Sequence, residues 1–263
     1  NCPSNYLRQI LTDYKSPNFD YLPPFTGGLV GYFSYDYLKY SESTVKCNAQ
    51  NLENFKDIDL MLFDEVIVFD NIKQKIILIV NMSLNDLETE YNKAVIKLNR
   101  LIDLLCNGKK KNELGGKLLG KVTPLFNKEQ FCNMVKKAKY HIHEGDIFQI
   151  VLSNQLSAPF EGSLLNTYRI LRTINPSPYM FYFSGTDVEI AGASPETLVK
   201  LENGILHTFP LAGTKPRGKN KKEDKALEIK LLSDEKELAE HNMLVDLGRN
   251  DLGKISKFNT VKV

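Results

Sequence analysis

The chain has 263 residues, 42% of them apolar, enough to build a substantial core. Its 34 basic and 32 acidic side chains leave a net charge of +2, which gives no electrostatic case for nucleic acid as a partner. No apolar run approaches the ~20 residues needed to cross a bilayer and no signal-peptide pattern is visible, so a cytoplasmic protein with no membrane partner is expected. The cysteines Cys2, Cys47, Cys106 and Cys132 are widely spaced and form no CxxC pair, which reads as reduced thiols rather than as a zinc or redox motif.

Residues 1–50 read as loop-rich, punctuated by Pro23-Pro24 and Gly27-Gly28, with an aromatic-rich strand candidate from Leu29 to Tyr35. Two β-branched runs flank Asp70-Asn71 and predict a hairpin. Between Asn85 and Cys106 the apolar residues Leu87, Tyr91, Ala94, Val95, Leu98, Leu101, Ile102 and Leu105 recur at helical spacing, with one face buried. The polar run from Asn107 to Lys117 is a linker candidate. Beyond it, a helix is predicted from Lys128 to His143, ended by Gly145, and a strand from Ile147 to Gln155. Ser163 is placed to cap a short helix that stops before Asn175-Pro176. Strands are predicted over Tyr179–Ser184, Glu189–Ala193 and Thr197–Phe209, the last folding back at Asn203-Gly204. Lys222 to Met243 reads as mainly helical with a break near Ser233, and Asp246 to Gly253 as a helix end and loop. Adjacent β-runs with few βαβ alternations argue for antiparallel sheets in an α+β class.

The chain starts at Asn-Cys-Pro and stops at NTVKV, an apolar alternation that reads as a strand in progress. A fragment of a longer protein, cut at both ends, is therefore expected.

The segment from Phe209 to Gly253 is the richest in chemistry. FPLAGTKPRG combines small residues with Gly213, Thr214 and Gly218, so its backbone can approach a ligand closely. Glu237 and Glu240 stand three apart on a predicted helix and face the same way. An anion cradle followed by paired carboxylates suits an anionic substrate held with a divalent cation. Each feature also has a plainer reading. Gly213-Thr214 could be an ordinary turn, and glutamates at this spacing are common on solvated helices. Glu196, in ASPE where one strand ends and another begins, could be a turn carboxylate facing water, and spacing alone favours that. The basic loop residues Lys215, Arg217, Lys219, Lys221 and Lys222 read as solvated, with Arg217 able to support the loop. His141, His143, His207 and His241 are not spaced as a metal set.

Five ordered segments together are far more specific. GGLVGYFSYD (Gly27 to Asp36), GDIFQIVLSNQLS (Gly145 to Ser157), INPSPYMFYF (Ile174 to Phe183), GASPETLVKLENG (Gly192 to Gly204) and the Phe209–Gly253 stretch resemble the chorismate-utilising enzymes. Within that family they are most similar to the large subunit of anthranilate synthase. The resemblance is dense from about Pro124 onward and thin before Asp64.

The resemblance implies two large antiparallel sheets facing each other with helices packed outside. It divides the chain into an N-terminal region, 1–115, that supports an inhibitor site, and a chorismate-binding catalytic region, 116–263, both partial. It makes Glu196 the general acid that protonates a leaving hydroxyl, a role that burial beside apolar neighbours would favour. Gly213 and Thr214 are then chorismate-binding. Glu240 is the Mg²⁺ ligand, with Glu237 close to the same ion. Pro178, Tyr179 and Met180 belong to a tryptophan inhibitor site, although the short LLES-like partner motif of that site is absent. Further carboxylates and the histidine base of the elimination step fall beyond Val263, so the chain alone is expected to be inactive.

Two positions separate the branches of the family. Water-using relatives carry a lysine base where this chain has Gln149, and glutamine cannot act as a general base. Aminodeoxychorismate synthases typically carry a nucleophilic lysine where this chain has Ala212. Gln149 with Ala212 thus points to anthranilate synthase: chorismate and ammonia to anthranilate and pyruvate in tryptophan biosynthesis. Ammonia would come from a glutamine amidotransferase subunit, and tryptophan would act as feedback inhibitor. The alternatives are an aminodeoxychorismate synthase of the folate pathway and a non-catalytic relative that binds chorismate or tryptophan.

Overall fold

Antiparallel strand pairs and α-helices account for most of the regular structure in this computed structural model, which describes residues 3–42, 44–46 and 50–263. The α+β class expected from the sequence is what is observed. Every sheet among the described residues is two-stranded. Cys2 and Cys47 lie outside the described residues, while Cys106 and Cys132 are free, exposed thiols. The chain divides into two compact units, Asn1–Asn112 and Glu113–Val263.

In the first unit, β1 (Gly28–Phe33) pairs with β2 (Ile58–Phe63), Gly28 opposite Phe63. The predicted hairpin is β3 (Glu65–Asp70) with β4 (Lys75–Val80). The Asp70 carboxylate closes its turn by accepting from the N–H groups of Ile72 and Lys73 at 3.1 and 2.9 Å. Helix α2 (Leu87–Asn107), N-capped by Asp86, packs against β4 and buries Ala94 and Leu101. The region read as loop-rich also holds helix α1 (Pro3–Asp13) and a 3₁₀ turn (Tyr35–Tyr40). Half-buried Leu7 and Ile10 give α1 an apolar stripe that the downstream prolines and glycines overshadowed.

Residues 108–114, which run across the boundary into the second unit, have no regular structure. Two short pairs follow: β5 (Lys117–Leu118) with β8 (Phe160–Glu161), and β6 (Thr123–Pro124) with β7 (Leu156–Ser157). Helix α3 (Lys128–His143) opens on a capping box. The Asn127 side chain accepts from the Gln130 N–H, and the Gln130 side chain accepts from the Asn127 N–H.

The strand predicted from Ile147 to Gln155 does not form. A strand is a pairwise structure, and β-branched composition alone makes no ladder. This run finds no partner strand among the described residues, and Phe148 and Val151 are 89% and 86% exposed. The terminal NTVKV run is likewise irregular.

Helix α4 (Leu165–Ile174) packs on the hairpin of β9 (Tyr179–Ser184) and β10 (Glu189–Ser194), where Phe183 is buried. The N-cap position is Leu164 rather than the expected Ser163, whose hydroxyl accepts from the Leu165 N–H at 3.1 Å. The Glu189 carboxylate takes the Leu164 N–H at 2.6 Å and the Tyr182 hydroxyl at 2.7 Å. These bonds favour the ionised form, the Leu164 N–H most, and hold Glu189 below its ordinary carboxylate range.

A second hairpin, β11 (Lys200–Glu202) with β12 (Ile205–His207), turns at Asn203-Gly204. Both turn residues sit at positive φ, 51° and 77°, which is why this pair suits a two-residue turn. Helices α5 (Lys221–Leu232) and α6 (Glu235–Gly253) break at Ser233, with Asp234 capping the second. The Asp246–Gly253 segment is not a loop. It forms the last two turns of α6, since a glycine inside a helix costs only about 1 kcal/mol and packing overrides it.

Candidate functional site

One extended segment, Thr208 to Gly218, organises the site. It has no regular secondary structure, so side chains fix its course. Its start lies along the segment that follows β10: the Thr208 hydroxyl donates to the Leu198 carbonyl at 3.2 Å, and the Leu211 N–H donates to Glu196 Oε1 at 3.3 Å. Farther on it meets α6. A Cβ built on Gly213 would collide with the Glu237 side chain, so a larger residue there would have to push that side chain aside. The far end is fastened to α5. The Arg217 guanidinium grips the Asp224 carboxylate through Nε at 2.8 Å and Nη2 at 2.5 Å. Asp224 also accepts from the Gly218 N–H at 2.8 Å. Arg217 first, then that N–H, hold Asp224 below the usual carboxylate range. Arg217 thus supports the loop.

Glu196 emerges just past β10. It is exposed, so the burial expected to favour an acid role is not seen in this chain. No strand covers it here, because Pro195–Thr197 lie between ladders. The Ser194 hydroxyl donates to the Glu196 carbonyl at 3.2 Å, and the next residue, Thr197, shares a 2.7 Å hydrogen bond with the Tyr179 hydroxyl. A hollow of about 580 Å³ opens beside Glu196, within the size range of small-ligand sites. Thr208, Pro210, Leu247, Gly248 and Asp251 line it. A smaller hollow of about 180 Å³ holds Ala212, Gly213, Glu237 and His241.

The residues singled out in the sequence thus divide. Glu196 and the Gly213 loop are joined by a hydrogen bond, and Gly213 and Glu237 are in contact. Thr214 is exposed beside Gly213, and Glu240 is half-buried one turn along α6 from Glu237. Tyr179 shares a hollow of about 290 Å³ with Glu196, with exposed Pro178 before it and half-buried Met180 after it, opposite Ala193. Gln149 is exposed in the unpaired 147–155 run and lines neither the Glu196 nor the Glu237 hollow.

Sequence reading missed Gly248 and Asp251 as wall residues. Their signal was present: Leu244, Leu247, Gly248 and Asp251 keep helical spacing on one face of α6. The Tyr179–Thr197 bond left no such trace, because it depends on the β9–β10 register.

Among the described residues no cluster of three or more His, Cys, Asp or Glu side chains could hold a metal. Two carboxylates on one helix face do fit a hard cation such as Mg²⁺, which keeps several waters and binds through one or two carboxylates plus substrate oxygens.

Residues 3–263 match the profile of the chorismate binding enzyme family. The chain is 46% identical over 99% of its length to anthranilate synthase component 1 of Acetivibrio thermocellus, and 42% identical over 99% to that of Aquifex aeolicus (strain VF5). It covers 54% and 53% of those proteins, so it spans about half the length of the curated relatives it matches. The crystal structure of anthranilate synthase component I from Streptococcus pneumoniae TIGR4 superposes with a TM-score of 0.81 at 36% identity, over 97% of this chain and 56% of that one. With five family-like segments in order, a loop that joins two of its acidic residues and a profile match along nearly its whole length, the chain belongs to the chorismate binding enzymes.

Proposed function

We propose that this chain is part of the large subunit of an anthranilate synthase, which converts chorismate and ammonia to anthranilate, pyruvate and water. One observation carries the reading: a single loop touches both acidic centres, bonding Glu196 at Leu211 and packing on Glu237 at Gly213. Glu196 delivers a proton to the C4 hydroxyl as it leaves, while ammonia adds at C2. Gly213 and Thr214 hold a carboxylate of chorismate through a backbone N–H and a hydroxyl. Glu240, with Glu237 behind it, holds Mg²⁺, which supplies positive charge to the anionic substrate. Pyruvate elimination and aromatisation follow.

Ala212 and Gln149 support this branch over its relatives, since neither can serve as the covalent nucleophile or the water-activating base that the other reactions need. A glutamine amidotransferase subunit supplies the ammonia, and tryptophan binds at Pro178, Tyr179 and Met180 to inhibit. The experiment is product chromatography of the longer protein with chorismate, Mg²⁺ and ammonium. Ortho-aminobenzoate is the expected product. Glu240→Gln abolishes nearly all turnover and Glu237→Gln does less. Equal, mild effects from both would show that this face of α6 is merely solvated, and aminodeoxychorismate as the product would overturn the branch.

A further inference from the structure

The residue after Glu196 offers a role that the reaction itself does not assign. Pro195–Thr197 take part in no strand ladder, so side chains must hold the peptide that presents Glu196. Two such bonds bracket it. On the N-terminal side the Ser194 hydroxyl donates to the Glu196 carbonyl at 3.2 Å. On the C-terminal side the Thr197 hydroxyl meets the Tyr179 hydroxyl at 2.7 Å. Tyr179 is itself fixed, because it is the first residue of β9 and stands opposite Ser194 in the ladder with β10. The Glu196 turn is therefore pinned to one rung of the β9–β10 hairpin, by Ser194 directly and by Thr197 through Tyr179. Without the second pin, Glu196 could rotate about the Ser194 bond and lose its Leu211 N–H.

We infer that Thr197 is a positioning residue, which fixes the Glu196 carboxylate for proton delivery through its hydrogen bond to Tyr179. The inference rests on the anthranilate synthase reading for the chemistry, but the pin itself is independent of it. Thr197 is half-buried, and valine replaces its hydroxyl with a methyl of similar size, so packing is retained while the bond is lost. Serine keeps the hydroxyl and loses only the methyl. A bond of this kind, acting on a reacting group, corresponds to about a two- to tenfold change in rate.

The test uses the full-length protein with Thr197→Val and Thr197→Ser. Amide hydrogen exchange over residues 194–199 is read alongside kcat and KM for chorismate. Thr197→Val is expected to speed exchange in that segment and to lower kcat about two- to tenfold with KM for chorismate unchanged, and Thr197→Ser to restore both. Unchanged exchange in Thr197→Val overturns the pin, whatever the turnover. So does an equal loss in both variants, because the hydroxyl would then not be the cause. A rise in KM with kcat intact shows a binding role instead and also overturns it. Absence of anthranilate from the wild type, with the exchange difference intact, sinks the reaction assignment and leaves the pin standing.

Discussion

At Gly213 a single methyl group separates two carboxylate positions. Alanine there would displace the Glu237 side chain from its Cγ outward, rather than backbone. Gly213→Ala should thus change folding stability by no more than about 0.5 kcal/mol, while moving a group next to the proposed ion. In the longer protein the Mg²⁺ concentration for half-maximal turnover should rise by about tenfold or more. A magnesium titration beside a thermal melt checks both halves. Met180 offers the opposite separation. Its side chain is half-buried opposite Ala193 and makes no bond to the Glu196 turn, so Met180→Thr should raise the tryptophan concentration needed for inhibition and leave chorismate turnover largely intact. Inhibition that does not change would mark the segment as core. Glu189 titrates with the fold. Its folded pKa lies below its ordinary value of 4.5. The stability it adds to the α4 start is therefore fully present above about pH 4.5 and lost as pH falls through the lower, folded value. Glu189→Gln should flatten the acid limb of a melting-temperature profile and leave the neutral region little changed in slope. An acid limb as steep as the wild type's would remove Glu189 from the account.

Helix α3 shows what one element owes to its first turn. Its capping box satisfies two backbone donors, one of them by the Asn127 side chain at 3.0 Å. Asn127→Ala should cost about 1 kcal/mol in denaturant unfolding, and Asn127→Asp much less. This cap also shows why some elements were legible in sequence and others not. Helix α3, the Ser233 break and the Asn203-Gly204 turn are set by residues within a few positions of one another, so local chemistry specifies them. The 147–155 run carries the right residue types, yet whether it is a strand depends on a neighbour far away in sequence, and no local rule reports that. At the site, the ordered segments marked Glu196, Gly213 and Glu237, and the loop joins them. The exposure of Glu196 and its pinning through Thr197 and Tyr179 are matters of register and coverage, which spacing along the chain does not encode.

For the molecule as a whole, surface dominates. Among the described residues only Ala94, Leu101, Ala138 and Phe183 are buried hydrophobics. We expect the 263-residue chain by itself to bind the dye ANS strongly, to unfold with a shallow denaturant slope and to give no anthranilate. Weak dye binding with a steep transition would contradict this. The two-stranded sheets carry a further consequence. Among the described residues each strand has one partner strand, and on β3–β4 the facing pair Phe69 and Ile76 are 61% and 52% exposed. That hairpin is β-branched, free of proline and low in charge over Ile76–Val80, the composition from which cross-β stacks grow. Warmed in isolation, the chain should form thioflavin-positive fibrils, and Ile76→Lys should delay them by setting a charge at the growing edge.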